Sequence, residues 1–146
     1  MTKTNAIRLL EVANIPYETR EYDNTLTVGT KIAQLLGEDP DRVFKTLVCE
    51  DPNHNHFVFC IPVNAELDLK KAAKISGSKS IDLIPQKQLL PLTGYVHGGC
   101  SPIGMKKCFP TFIEETSLLF DSIFVSGGKI GLQLMIKTQL LIDYTH

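Results

Sequence analysis

VFKTLVCEDPNHNHFVFCIPV, residues 43–63, decides how this chain is read. Two runs of β-branched and aromatic residues, 43–49 and 57–63, flank a polar DPNHNH segment, which is the pattern of an antiparallel hairpin. His54 and His56 therefore read as turn residues rather than metal ligands. Lys45 is the anomaly, a cation between Phe44 and Leu47. Strand alternation puts Val43, Lys45, Leu47 and Cys49 on one otherwise apolar face, so that face is expected to look inward and Lys45 to enter a pocket. A lysine held there can neutralise an anion, orient a carbonyl, or act as a base if burial lowers its pKa.

The rest of the chain supplies layers around the hairpin. Upstream, Asn5 to Ala13 has apolar residues at helical spacing, Tyr17 to Tyr22 reads as a short strand, and Gly29 to Leu36 as a helix closed by Gly37. Downstream, Leu67 to Ile75 is a helix with Leu69, Ala72, Ala73 and Ser76 on one stripe and Lys70, Lys71 and Lys74 on another. Further strands are expected at Ser80–Ile84, Phe109–Glu114, Ser122–Val125 and Leu132–Ile136, with helical turns at Pro85–Leu90 and Ser117–Phe120 and a last helix from Thr138. Together these predict one mixed α/β domain, residues 1–146, with a largely antiparallel, barrel-like sheet surrounded by helices.

Composition narrows the class. A chain of 146 residues, 43 % hydrophobic, can bury a core without staples. The opening MTKTNAIRLLE carries charge where a signal sequence would be apolar, and no apolar run approaches a membrane span, so a cytoplasmic protein with no membrane partner is expected. Cys49, Cys60, Cys100 and Cys108 have no zinc or redox spacing and are expected to be reduced and mostly buried. Net charge is −1, yet residues 70–110 hold seven lysines and a single acid, Asp82. Such a segment is either a field that steers a polyanion or a solvated face.

TGYVHGGCSPIGMKK, residues 93–107, and VSGGKIG, residues 125–131, are two glycine-rich loops. Gly99 to Gly104 has the spacing of a phosphate loop, but Met105 replaces its lysine, and the second loop lacks the dinucleotide fingerprint. What remains is main-chain chemistry: Gly98-Gly99 and Gly127-Gly128 can bring N–H groups close to a carbonyl or oxyanion, or can be ordinary turn glycines. Cys100 beside His97 is a weaker candidate nucleophile, because a reactive thiol needs spatial pairing.

These pieces, with FKTLV at 44–48 and LDLKKAAK at 67–74, resemble the YbaK/EbsC family of aminoacyl-tRNA deacylases, relatives of the editing domain inserted in bacterial prolyl-tRNA synthetases. The resemblance implies a trans-editing enzyme for tRNA carrying the wrong amino acid, chiefly Cys-tRNA(Pro), with Cys-tRNA(Cys) and prolyl-tRNA synthetase as further candidate partners and no cofactor or metal. It implies that Lys45 is the central functional residue. Tyr22, Thr46, Gly98, Gly99, Ser101, Ser126, Gly127 and Gly128 would bind substrate, while Lys70, Lys71, Lys74, Lys106 and Lys107 would meet the tRNA backbone. It further implies cleavage by the substrate's own thiol, with water-driven hydrolysis of Ala-tRNA(Pro) or a non-catalytic tRNA- or synthetase-binding module as alternatives. Two positions depart from the family pattern, Ile130 and Gln133 standing where an arginine and an acidic residue are common, which leaves substrate preference and the grip on the terminal adenosine open.

Overall fold

In the computed structural model, residues 3–22 and 29–145 are described, residues 29 and 30 through their backbone alone. The hairpin forms as read: β2 (Phe44–Glu50) pairs antiparallel with β3 (His56–Pro62), in register from Phe44 opposite Pro62 to Glu50 opposite His56. Its turn is organised by Asp51, whose Oδ1 accepts from the Asn53 and Asn55 N–H groups at 2.9 and 2.8 Å. Its Oδ2 accepts from Asn55 Nδ2 at 3.0 Å, so one carboxylate satisfies three donors and lets His54 take a left-handed φ of 64°.

β1 (Tyr17–Glu21), β6 (Ser122–Ser126) and β7 (Leu132–Lys137) make an antiparallel three-stranded sheet in the order β1-β7-β6. A second sheet has the order β4-β2-β3-β5, with β4 (Asp82–Leu83) antiparallel to β2 and β5 (Thr111–Ile113) parallel to β3. The expected barrel-like sheet is corrected here. Among the described residues the two sheets are hydrogen-bonded to each other only at a parallel bridge, Val43 to Phe124, and do not close. β4 contributes only a two-residue pairing, too short to carry the sheet around.

Helices cover both sheets. α1 (Asn5–Val12) starts at Thr4, whose Oγ1 accepts from the Ile7 N–H at 3.2 Å, and buries Ala6, Ile7 and Leu10. α2 (Gly29–Leu36) leads to Gly37 at φ 68°, and α3 (Leu69–Ser76) is capped by Asp68 and ends at Gly77 in the left-handed region. Ala72 and Ala73 of α3 pack on Cys49, Phe59 and Ile81, whereas Leu69, expected on the same stripe, is 40 % exposed. α4 (Leu89–Thr93) precedes the first glycine loop, and α5 (Thr138–Thr145) follows β7 directly.

The largest core cluster joins α1, β2, β3, β6 and β7 around Phe44, Val58, Ile123, Val125 and Leu134. Here the reading of β2 needs amending. Phe44 and Val48 point into this cluster, while Cys49 and Val43, on the other alternation, join two smaller clusters. β2 is an interior strand covered on both faces, so alternation alone does not say which face is the core. Between Val43 and Cys49, Lys45 and Leu47 are half-buried.

Candidate active site

From the Val43–Phe124 bridge β2 and β6 run side by side in parallel, and two residues further on Lys45 and Ser126 face a cavity of about 140 Å³. The cavity lies where the sheets part. Lys45 and Thr46 line it from β2, Gly98 and Cys100 from the first glycine loop, and Ser126 and Gln133 from β6 and β7. Ile32, Val63 and Leu89 add apolar wall, and His97, exposed, stands at its edge.

The strand edge itself is part of the site. Val63 N–H donates to the Val43 carbonyl at 2.8 Å, so odd-numbered peptide groups of β2 face β3 and even-numbered ones face away. On that outer edge Ile84 N–H reaches the Val48 carbonyl at 3.1 Å, and β4 covers Cys49 and Glu50. No strand among the described residues pairs with Thr46 there, which leaves its N–H and C=O at the cavity. The Thr46 side chain turns the other way, its Oγ1 lying 3.8 Å from Cys60 Sγ.

The glycines divide unequally. Gly99 donates to the Val96 carbonyl at 3.0 Å, Gly127 to the Leu132 carbonyl at 2.9 Å and Gly128 to Ser126 Oγ at 3.2 Å. These three N–H groups hold loop shape. Gly98, at φ 85°, has no acceptor for its N–H among the described residues and is the member of the four that lines the cavity. Gly99 instead joins the loops, since a Cβ there would sit 2.8 Å from Ile130 N and from Lys129 C.

α1 clamps both loops from outside. Thr4 Oγ1 donates to the Gly127 carbonyl at 2.5 Å and Asn5 Nδ2 to the Gly104 carbonyl at 2.7 Å. Between them Tyr95 donates its hydroxyl to the Ile103 carbonyl at 2.6 Å and packs against Gly128. Nothing in the local sequence pairs residues 4 and 5 with loops about a hundred positions away, so this clamp leaves no local signal.

The remaining expected residues fall outside the cavity lining. Ser101 is fully buried, its Oγ accepting from the Ile103 N–H at 3.2 Å, a turn-forming bond. Tyr22 continues β1, donating its N–H to the Gly131 carbonyl at 3.0 Å, and its hydroxyl is buried without a partner among the described residues. Lys70, Lys71, Lys74, Lys106 and Lys107 are exposed. Two of them lie at different clefts: Lys71 lines a groove with Asp41, Glu66, Asp68, Glu114 and Glu115, while Lys107 lines another beside Met105 and Phe109. Those two clefts, about 670 and 640 Å³, are larger than the Lys45 cavity but contain neither Lys45 nor any of the four loop glycines.

Gln133, one of the two departures from the family pattern, also lines the cavity. It is 5 % exposed as the second residue of β7, opposite both Arg20 and Ser126, and its Oε1 is buried with no hydrogen-bond partner among the described residues. The available signal was the one used for Lys45, a polar residue inside an apolar strand.

Electrostatics restrict the chemistry. Burial pushes the Cys100 thiol up to about 12, even though a hydrogen bond with Thr93 acts the other way. Cys60 is likewise pushed to about 12 by burial, so both thiols near the cavity are protonated at neutral pH and neither is a ready nucleophile. No carboxylate pairs with Lys45 among the described residues. His54 and His56 both approach Glu50 Oε2, at 3.4 and 3.2 Å, and no metal-binding group of three side chains occurs among the described residues. No helix there is long and apolar enough to cross a membrane. The cavity thus offers a cation, a free glycine N–H, a strand edge and two polar side chains, which suits holding a carbonyl rather than attacking it.

Comparison with known proteins gives the family and the fold. Residues 23–144 match the aminoacyl-tRNA editing domain family. A protein of Enterococcus faecalis (strain ATCC 700802 / V583) named "Putative Cys-tRNA(Pro)/Cys-tRNA(Cys) deacylase EbsC" is 42 % identical over 147 residues, covering 99 % of this chain and 89 % of that protein. Among solved structures, one described as "a putative trans-editing enzyme for prolyl tRNA synthetase" superposes with a TM-score of 0.85 at 21 % identity, covering 99 % of this chain and 94 % of that one. Another, the hypothetical protein APE2540, gives a TM-score of 0.90 at 18 % identity over 97 % and 94 % of the two chains, and both share the fold. With the family matched over most of its length, the chain belongs to the aminoacyl-tRNA editing domain family.

Proposed function

We propose that this chain is a trans-editing deacylase that removes cysteine from Cys-tRNA(Pro), with the Lys45 cavity as the aminoacyl site. The observation that carries the reading is the pairing of Lys45 with the unpartnered Gly98 N–H in a cavity of about 140 Å³ that holds no ionised thiol. Its small volume suits an amino-acid side chain and ester, leaving the nucleotide outside.

In this reading the ester carbonyl oxygen accepts hydrogen bonds from the Lys45 ammonium and from Gly98 N–H. The substrate's sulfur attacks its own carbonyl carbon; the C–S bond forms, the C–O bond to the ribose breaks, and the thiol proton ends on the departing ribose oxygen. The product is a cyclic thioester. The protein needs to supply only a held conformer and a stabilised oxyanion, and such positioning is worth about 7–11 kcal/mol. The thiol-containing name of the 42 % identical relative supports cysteine as the substrate. Delivery of the tRNA by prolyl-tRNA synthetase, with the exposed lysines of residues 70–107 meeting its backbone, belongs to the same proposal, and Tyr22, Ser101 and the three loop-forming glycines support the cavity from behind.

The test is cleavage of tRNA(Pro) charged with Cys, Ser or Ala, by native protein and by Lys45→Ala. Rapid loss of the cysteinyl ester alone, slowed about 10²–10³-fold by the substitution, is expected for removal of an oxyanion donor. Equal cleavage of the alanyl ester would replace thiol attack by water, and cleavage of none above the blank would overturn the deacylase reading.

A further inference from the structure

Lys45 and Gly98 provide donors, and an aminoacyl ester also carries a donor of its own, the α-ammonium, which needs an acceptor. The candidate is on the opposite wall. Gln133 belongs to the β1-β7-β6 sheet and Lys45 to the β4-β2-β3-β5 sheet, so the cavity where the sheets part has its cation on one side and a carboxamide on the other. Gln133 is 95 % buried, and its Oε1 has no partner among the described residues although a buried acceptor left unmade is costly. A half-turn of the terminal amide exchanges oxygen and nitrogen at the wall without moving the rest of the side chain.

Resting on the deacylase reading of the same cavity, we infer that Gln133 is a specificity residue that accepts a hydrogen bond from the α-ammonium of the bound aminoacyl group. The bond would relieve the orphaned acceptor and set the polarity of the substrate, with its carbonyl toward Lys45 and Gly98 and its ammonium toward β7. Ser126, directly opposite Gln133 on β6, is the weaker acceptor, because its Oγ already takes the Gly128 N–H while Gln133 Oε1 has no partner among the described residues. A carboxamide makes this contact with no charge of its own, so the ammonium is held without an anion being placed in the cavity with Lys45.

The test uses binding, so that it does not depend on turnover. Two uncleavable probes are compared by calorimetry: adenosine bearing a 3′-amide-linked cysteine, and the same compound with 3-mercaptopropionate, which keeps the thiol and lacks the amino group. Native protein is expected to prefer the first by about ten-fold or more, the worth of a hydrogen bond from a charged donor. Gln133→Leu should bind both about equally, Gln133→Glu, which keeps an acceptor, should retain the preference, and Gln133→Met gives the same reading should leucine disturb the fold. A merely structural role is separated by thermal unfolding, in which Gln133→Leu should be at least as stable as native, because it removes a buried unpartnered atom. The inference is overturned if native protein shows no preference, if Gln133→Leu keeps it, or if the variant instead loses discrimination against a 2′-deoxy probe, which would assign the contact to the ribose. Preference without cleavage of Cys-tRNA(Pro) would sink the deacylase reading and leave this contact standing.

Discussion

Gly99→Ala is the sharpest test of how the two glycine loops cooperate. The added methyl would lie 2.8 Å from Ile130 N and Lys129 C and 2.9 Å from Lys129 Cα, all main-chain atoms of the second loop. Comfortable contact begins near 3.5 Å, so the loops must part by about 0.7 Å, and no side-chain rotation can absorb it. Overpacking of this kind costs about 1–3 kcal/mol, and each kcal/mol lowers the melting temperature of a domain this size by about 2–4 °C. Gly98 precedes the methyl directly, so its N–H shifts with the loop, and a displacement approaching 1 Å can lower the rate by about 10²-fold. Gly127→Ala is the control: its methyl would meet Cγ and Cδ2 of Leu132 at 2.6 Å, atoms that Leu132→Ala removes. The Gly127/Leu132 double variant should therefore lose less than the sum of its singles, while no side-chain change in the second loop rescues Gly99→Ala. Thermal unfolding and single-turnover deacylation read both. Gly99→Ala with native stability and a rate within about twofold of native would refute the claim that this glycine couples the loops.

Two further outcomes follow from the buried groups. Under native conditions a small alkylating reagent should label Cys108 alone, because Cys49, Cys60 and Cys100 are buried with thiols pushed to about 12, and all four should react once the chain is unfolded; mass spectrometry counts the adducts. For Asp51, burial pushes the carboxyl up, but the bonds from Asn55 and Asn53 outweigh it and hold the group below its ordinary 3.8. A depressed carboxyl stabilises the fold above its unfolded value and loses that contribution as pH falls through the folded one. The melting-temperature gap between native protein and Asp51→Ala should thus be widest near neutral pH and narrow in acid; a gap independent of pH would sink this account of the turn.

The sequence exposes most of this molecule because its strands are short and its punctuation is strong. The hairpin at 43–63 and the helix stops at Gly37 and Gly77 follow from local chemistry, and the structure has each of them. Lys45 was findable because a charged residue in an apolar strand has few explanations. Less legible was the direction of the strand faces, since an interior strand is covered on both sides and its alternation carries no sign. Long-range contacts were invisible altogether, among them the Thr4 and Asn5 bonds to the Gly127 and Gly104 carbonyls. Distinguishing Gly98 from its three neighbours needed the hydrogen-bond partners, because glycine in a loop reads alike whether it serves a ligand or a turn.

The expected barrel and the observed gap are connected. Had β2 and β6 continued to pair beyond the Val43–Phe124 bridge, the Thr46 peptide would be satisfied by a neighbouring strand and Lys45 and Ser126 would have no space between them. The site depends on the sheet failing to close. An unpaired stretch of strand is ordinarily a liability, because exposed main-chain groups invite pairing with other chains. Here Ile32 of α2, Leu89 of α4 and the first glycine loop wall it in, Thr4 and Asn5 fix the two loops from outside, and the remaining opening is about 140 Å³. Such an opening excludes a strand, and in the proposed function it takes a small aminoacyl group, so that the main-chain groups the fold leaves unpaired here would position the substrate.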